Sequence, residues 1–95
     1  MLNIEYTNIT IGKAQQSKQI AVKGEITNRS GRHLSAVASR LVLFIKNIPI
    51  ANTVIVVNGL PNGATKSFEK YIEELDYEQV GKDINRFDIY PETAY

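Results

Sequence analysis

Apolar and polar residues alternate along most of the chain, which is typical of β-strands with one face on a core. In the segment from Gln19 to Asn28, for example, Ile20, Val22 and Ile26 share one face. Turn-forming Gly, Pro, Asn and Ser residues separate the alternating segments. The pattern predicts strands at residues 3–11, 19–28, 35–46, 50–57, 64–72 and 84–90, with Pro91 ending the last. These six segments belong to a predicted fold of about seven short strands, an all-β, immunoglobulin-like antiparallel β-sandwich.

Two unbroken apolar segments interrupt the alternation, Leu41–Ile45 and Val54–Val57. A segment of this kind belongs to a strand that is covered on both faces or to one that seals an interface. On an exposed edge it would favour pairing with another strand, and neither segment contains a Lys or a Pro. The sequence therefore leaves open a homodimer formed by strand-edge pairing or by stacking of sheets.

Two further segments depart from the simple strand pattern. Gly24 lies on the inward set of its strand and predicts either a close approach of the facing sheet or a β-bulge. Residues 73–80 are rich in Glu, contain Leu75 and Val80 as apolar positions, and are followed by Gly81. They predict one short helical turn or a loop.

Length and composition narrow the classes of protein. Ninety-five residues correspond to one domain, so we expect residues 1–95 to form a single β-sandwich. The chain has no Cys, which excludes disulfides and thiolate chemistry. No apolar segment reaches the length of a membrane span, and Met1–Tyr6 lacks the regions of a signal peptide. A cytoplasmic location follows if Met1 is the native start, and a cell-envelope location follows if this is a domain of a larger protein.

Charge is distributed unevenly along the chain. Residues 1–66 contain eight Lys and Arg against two acids, whereas residues 67–95 contain three against eight. Cross-strand ion pairing is the favoured outcome, and a polarised surface is the alternative. A weak anion or nucleic-acid site would require the basic residues of 13–46 to share a face. The ones concerned are Lys23, Arg29, Arg32, Arg40 and Lys46. Aromatic residues for base stacking are missing there apart from Phe44, which argues against nucleic acid.

Candidate chemistry is sparse. His33 is the single histidine, and the sequence near it offers no orienting or reacting partner, so we expect it to be exposed in a turn. The acidic cluster comprises Glu73, Glu74, Asp76, Glu78 and Asp83. It lacks the spacing and central Gly of a calcium loop and predicts a solvated loop. The sequence thus predicts no catalytic residue, metal or cofactor, and we do not expect an enzyme.

Three segments in order resemble the FxLYD domain, a small immunoglobulin-like module of bacterial and archaeal proteins. They are Val22–Gly31 (Val-Lys-Gly-Glu-Ile-Thr-Asn-Arg-Ser-Gly), Leu41–Ile45, and Leu60–Gly63 (Leu-Pro-Asn-Gly) with Phe68. Phe44 and Ile45 stand where the family motif has Tyr and Asp. The resemblance spans about residues 20–90 and implies an immunoglobulin-like sandwich. It also implies a non-catalytic accessory module, often in envelope lipoproteins, with no active-site residues to transfer.

The function expected from these observations is that of a non-catalytic interaction module whose partner is another protein. Contacts would involve an exposed strand edge or the loops Asn28–His33 and Asn58–Gly63. The candidate loop residues are Asn28, Arg29, Arg32, His33, Asn58 and Asn62. A proteinase-inhibitor-like protein is an alternative, because an intracellular inhibitor family has a similar architecture, and the anion or nucleic-acid binder is another. Tyr71, Tyr77, Tyr90 and Tyr95 either form a protein-binding patch or, as favoured, are half-buried strand residues.

Overall fold

A computed structural model describes residues 3–95 as six β-strands and one short helical segment. The strands are β1 (Ile4–Lys13), β2 (Gln19–Asn28), β3 (Leu34–Ile45), β4 (Ile48–Leu60), β5 (Thr65–Asp76) and β6 (Arg86–Ala94). The helical segment consists of α1 (Tyr77–Val80) and a 3₁₀ turn at Gly81–Asp83. The all-β prediction is therefore confirmed, with six strands in place of about seven.

The strands form two antiparallel three-stranded sheets. The first sheet has the order β1-β2-β5 and the second has the order β4-β3-β6. Apolar residues of both sheets form one buried cluster, so the sheets pack face to face as a sandwich. Within residues 3–95, only β2 and β3 have a hydrogen-bonded neighbour on both sides, and the other four are edge strands.

The core follows the alternation read from the sequence. Ile20, Val22 and Ile26 of β2 are at most 1% exposed, as predicted. Leu41 and Leu43 of the apolar segment in β3 are completely buried. The intervening positions of that segment point to the outer face, where the guanidinium of Arg86 covers the Phe44 ring at 3.9 Å. The segment therefore belongs to a central strand with a partly covered outer face.

Gly24 is covered by its own sheet. A Cβ at this position would lie 2.9 Å from Cζ of Phe68 in β5 and would also collide with Cδ1 of Ile9 in β1. The prediction that the facing sheet approaches Gly24 is therefore wrong, because both contacting side chains come from the adjacent strands. The alternative prediction, a β-bulge, is confirmed, because Asn8 (φ 55°) and Ile9 of β1 stand opposite the single residue Gly24, between the pairs Thr7–Glu25 and Thr10–Lys23.

Three of the strand boundaries that differ from the sequence prediction involve a helical turn, a proline and a hairpin. β5 continues to Asp76, so of the helical turn expected at residues 73–80 only Tyr77–Val80 is helical. Asp76 caps that turn by accepting a hydrogen bond from the backbone N of Glu78 at 2.8 Å. Pro91 lies inside β6 and does not end it, because a Pro is tolerated at a bulge in an edge strand.

The third difference is the hairpin between β3 and β4. Its two connecting residues, Lys46 and Asn47, have φ values of 50° and 68°, which is the geometry of a type I′ turn. β4 accordingly begins at Ile48 and includes Pro49, where the sequence had indicated a longer turn.

One polar contact crosses the sandwich interior. The hydroxyl of Tyr6 in β1 lies 2.7 Å from Oγ of Ser39 in β3. Ser39 is only 1% exposed, so this contact satisfies a hydroxyl that water cannot reach. Burial raises the pKa of Tyr6, and the hydrogen bond to Ser39 partly offsets that effect. The pair therefore links the two sheets through neutral groups.

We expect Tyr6→Phe to lower the free energy of unfolding by about 1–3 kcal/mol, because it leaves the Ser39 hydroxyl buried without its partner. Ser39→Ala removes both the hydroxyl and the need for a partner. The double variant should therefore be more stable than the sum of the single effects indicates. Urea unfolding of the four proteins measures this coupling, and strict additivity would contradict a direct cross-sheet bond.

Candidate protein-binding edge

Asn28 holds one end of the sandwich together. Its side chain is completely buried. Nδ2 donates to the carbonyls of Arg32 at 2.7 Å and Leu60 at 2.8 Å, while Oδ1 accepts from the backbone N of Ser30 at 2.9 Å. The β2–β3 loop is thus joined to the end of β4 through a single amide.

This placement removes Asn28 from the set of candidate contact residues, because a fully buried side chain with these bonds is structural. The two loops nevertheless lie at the same end of the sandwich, where Oδ1 of Asn62 accepts from the backbone N of Gly31 at 3.0 Å. Arg32 and His33 are exposed there. Arg29 is exposed as well, and its guanidinium lies 3.3 Å from the carboxylate of Glu5. Asn58 lies outside these loops, on the exposed face of β4.

The basic residues of 13–46 do not share a face. Lys23 lies on the outer face of the first sheet and Arg40 on the outer face of the second. Arg29 and Arg32 belong to the loop end, whereas Lys46 belongs to the β3–β4 turn at the opposite end. The arrangement required for an anion site on these residues is therefore not present.

Several of these basic residues are instead paired with acidic residues, and three of the acids belong to residues 67–95. Lys13 meets Glu78 at 3.2 Å, Lys23 meets Glu69 at 3.3 Å, and Arg40 meets Glu92 at 2.9 Å. The Arg40 contact is bidentate, and the hydrogen bond to Glu92 raises the pKa of Arg40. Ion pairing between the basic and acidic halves, the favoured interpretation of the charge pattern, is confirmed.

Glu69 has a second partner. The hydroxyl of Tyr71 donates to Oε1 of Glu69 at 3.0 Å, and this bond is the main reason that the pKa of Tyr71 is raised. Tyr71 is exposed on the first sheet, whereas Tyr90 and Tyr95 are exposed at separate positions on the second sheet. The tyrosines of the acidic half therefore do not gather into one patch.

Within residues 3–95, no cluster of three or more His, Asp or Glu side chains could hold a metal ion. None of the helical residues in that range forms an apolar helix of membrane-spanning length. Among the described side chains, no buried polar atom lacks a hydrogen-bond partner.

The free edge of β4 settles a point that the sequence left open, namely whether Val54–Val57 lies in a covered strand or at an exposed edge. β4 contains no charged residue over its 13 positions, and no strand within residues 3–95 pairs with the side that faces away from β3. Val56 is 58% exposed beside this edge. A long, uncharged strand with an open edge is the kind of element that accepts a further strand.

The hydrogen bonds of its neighbours show which backbone groups of β4 point to this edge. Ala36, which lies opposite Asn58, directs both its N–H and its C=O to Tyr95 on the other side of β3. The carbonyl of Asn58 accordingly points away from β3, where Nζ of Lys66 donates to it at 2.9 Å. Because direction alternates along a strand and the register is unbroken from Asn58 to Ala51, three residues present free N–H and C=O groups. They are Asn52, Val54 and Val56.

A groove of about 480 Å³ runs between the edges of β4 and β5. Its inner surface includes Ile55 and Val57 from β4 and Phe68 from β5. Lys66 and Lys70, which share the core-facing set of β5 with Phe68, also line it. The groove is thus apolar at its centre and basic along the β5 side.

Comparisons of the chain with models of protein families, with curated proteins and with solved structures found no match. The resemblance to the FxLYD domain therefore stays a prediction.

We expect Asn28→Ala to lower the free energy of unfolding by roughly 2–4 kcal/mol, because it leaves the buried or partly buried backbone groups of Ser30, Arg32 and Leu60 without partners. Asn62→Ala is the matched control, since it removes one hydrogen bond at an exposed site and should cost about 1 kcal/mol or less. Thermal and urea unfolding measure both effects. Equal stability of the two variants would contradict the structural role assigned to Asn28.

Proposed function

We propose that this protein is a non-catalytic protein-binding module that accepts an extended segment of its partner as an added strand on β4. The free backbone groups of Asn52, Val54 and Val56 support this proposal most directly. Strand addition uses such groups for affinity and uses adjacent pockets for the choice of side chains.

The geometry of an added strand fits the two surfaces beside the edge. Its side chains would point alternately to the outer face of the second sheet and into the groove. On the outer face they would contact the exposed side of Val56 and the half-buried Val54. In the groove they would contact Ile55, Val57 and Phe68. Both sets of contacts bury apolar surface, which adds to the main-chain hydrogen bonds.

The two alternative functions have weaker support. An anion binder would need a shared basic face, but Lys23, Arg40 and Lys46 lie in three different parts of the sandwich. A proteinase inhibitor would need an extended loop free to enter a cleft. The loops at residues 29–33 and 61–64 are instead cross-linked by side-chain hydrogen bonds, including those of Asn28 and Asn62.

The test uses Val54→Pro. Proline removes the Val54 N–H, which faces the open edge, and places a ring in the path of an added strand. Because this N–H makes no bond to β3, the sheet should remain folded. Val54→Thr is the matched control, since it replaces one methyl group with a hydroxyl but keeps the β-branched shape of the side chain and the N–H. The probe is a phage-displayed library of random nonapeptides selected on the whole protein.

We expect the selected peptides to lose at least about tenfold in affinity for Val54→Pro and to bind Val54→Thr with a much smaller loss, as the loss of main-chain pairing predicts. Amide hydrogen exchange of the unaltered protein gives a second measurement, in which bound peptide should protect Val54 and Val56. Peptides that bind Val54→Pro equally well and protect only the loop end would contradict the proposal. Failure to select any peptide would contradict it too.

A further inference from the structure

Lys66 and Lys70 have no acidic partner among the described residues, unlike most basic residues elsewhere in the sandwich. Lys13, Lys23, Arg29, Arg40 and Arg86 all form ion pairs. The neighbouring acid on β5, Glu69, points to the opposite face and is already bonded to Lys23 and Tyr71. The β4–β5 groove therefore contains two cations whose charge the rest of the described protein does not balance.

The spacing of these lysines matches the repeat of an extended chain. Lys66, Phe68 and Lys70 occupy alternate positions of β5, so successive side chains are about 7 Å apart and the two lysines about 13 Å apart. A strand added to β4 has the same repeat and would direct every second side chain into the groove. Three consecutive groove-facing side chains would then lie near Lys66, Phe68 and Lys70.

We infer that the β4 edge selects an extended protein segment with the pattern acidic–x–apolar–x–acidic. This inference rests on the proposed function and specifies its partner. The central apolar side chain would pack on Phe68, and the flanking carboxylates would pair with Lys66 and Lys70. Because the pattern is the same in both directions, it fits a strand that runs parallel or antiparallel to β4.

The side chain of Lys66 would change its hydrogen-bond partner when a segment binds. In the free protein its Nζ donates to the Asn58 carbonyl, the next outward-facing carbonyl of β4 after Val56. When Lys66 turns to a carboxylate of the bound segment, the Asn58 carbonyl becomes available to an N–H of the added strand. The main-chain pairing would thereby extend beyond Asn52, Val54 and Val56.

A second copy of this chain is a less favourable partner for the β4 edge than an acidic segment of another protein. Two β4 strands paired about a two-fold axis would bring no acid to the groove, since β4 has no charged residue. The same pairing would place the β5 edges of the two copies next to each other, with Lys66 and Lys70 of each on the shared side. Inward-pointing lysines on edge strands oppose this kind of self-association.

Three synthetic peptides test the pattern, each flanked by two Thr at both ends. The probe has the centre Glu-Thr-Val-Thr-Glu, and the neutral control has Gln-Thr-Val-Thr-Gln. The face control, Thr-Glu-Val-Glu-Thr, has the same charge but directs its carboxylates away from the side chain of Val. Calorimetry at low and high salt measures their affinities for the whole protein and for the Lys66→Gln/Lys70→Gln variant. Lys82→Gln, at an exposed lysine of the 3₁₀ turn, is the matched control.

We expect the probe to bind about tenfold tighter than either control at low salt, with the advantage reduced by added salt, as two partly exposed ion pairs predict. The advantage should disappear in Lys66→Gln/Lys70→Gln and persist in Lys82→Gln. If all three peptides bind equally and lose affinity for Val54→Pro, the acidic pattern is wrong and the strand-addition function stands. If Val54→Pro binds them unchanged, the proposed function itself is wrong.

Sedimentation of the protein alone tests the choice of occupant. We expect a monomer, because self-pairing through β4 leaves the lysines of both copies unbalanced. A dimer that Val54→Pro dissociates would overturn the inference in favour of a second copy.

Discussion

A sandwich of two three-stranded sheets has only one fully paired strand in each sheet, and the rest of this structure depends on that constraint. β2 and β3 form backbone hydrogen bonds with a neighbouring strand on both sides, and they contribute many of the most deeply buried side chains. The other four strands each present an open edge. The unpaired backbone groups of an open edge can pair with a strand of another chain. The features that protect each edge therefore decide where a further strand can be added.

Three of the four edges have an identifiable device against pairing. β1 has a bulge at Asn8, and β6 has Pro91 at a bulge, which removes an N–H. β5 directs Lys66 and Lys70 into the groove. β4 has Pro49 and a bulge at Ile50 near its start but is regular and uncharged from Ala51 to Asn58. This asymmetry makes the β4 edge the surface on which strand addition costs the least.

Period-two alternation predicted the strands and the inward set of β2 because burial on one face repeats every second residue. It could not show which strands are edges, since the side chains of a strand alternate in the same way whether one or both of its edges are paired. Val54–Val57 therefore suggested either a buried strand or an interface. The same limit explains Pro91, which is compatible with a strand only at an edge or a bulge. Asn28 shows a second limit, because turn-type residues are usually exposed, whereas the side chain of Asn28 is buried and bonded to the backbone.

The fold and the proposed binding surface draw on separate sets of interactions. Stability comes from the buried apolar cluster, the Tyr6–Ser39 contact and the Asn28 hydrogen bonds, none of which uses the open side of β4. In the free protein, the backbone groups of Asn52, Val54 and Val56 have no hydrogen-bond partner among the described residues, so they are available to water. A bound strand would replace that water while the sandwich stays as it is. Binding through β4 would therefore require little rearrangement, apart from the release of Lys66 from the Asn58 carbonyl.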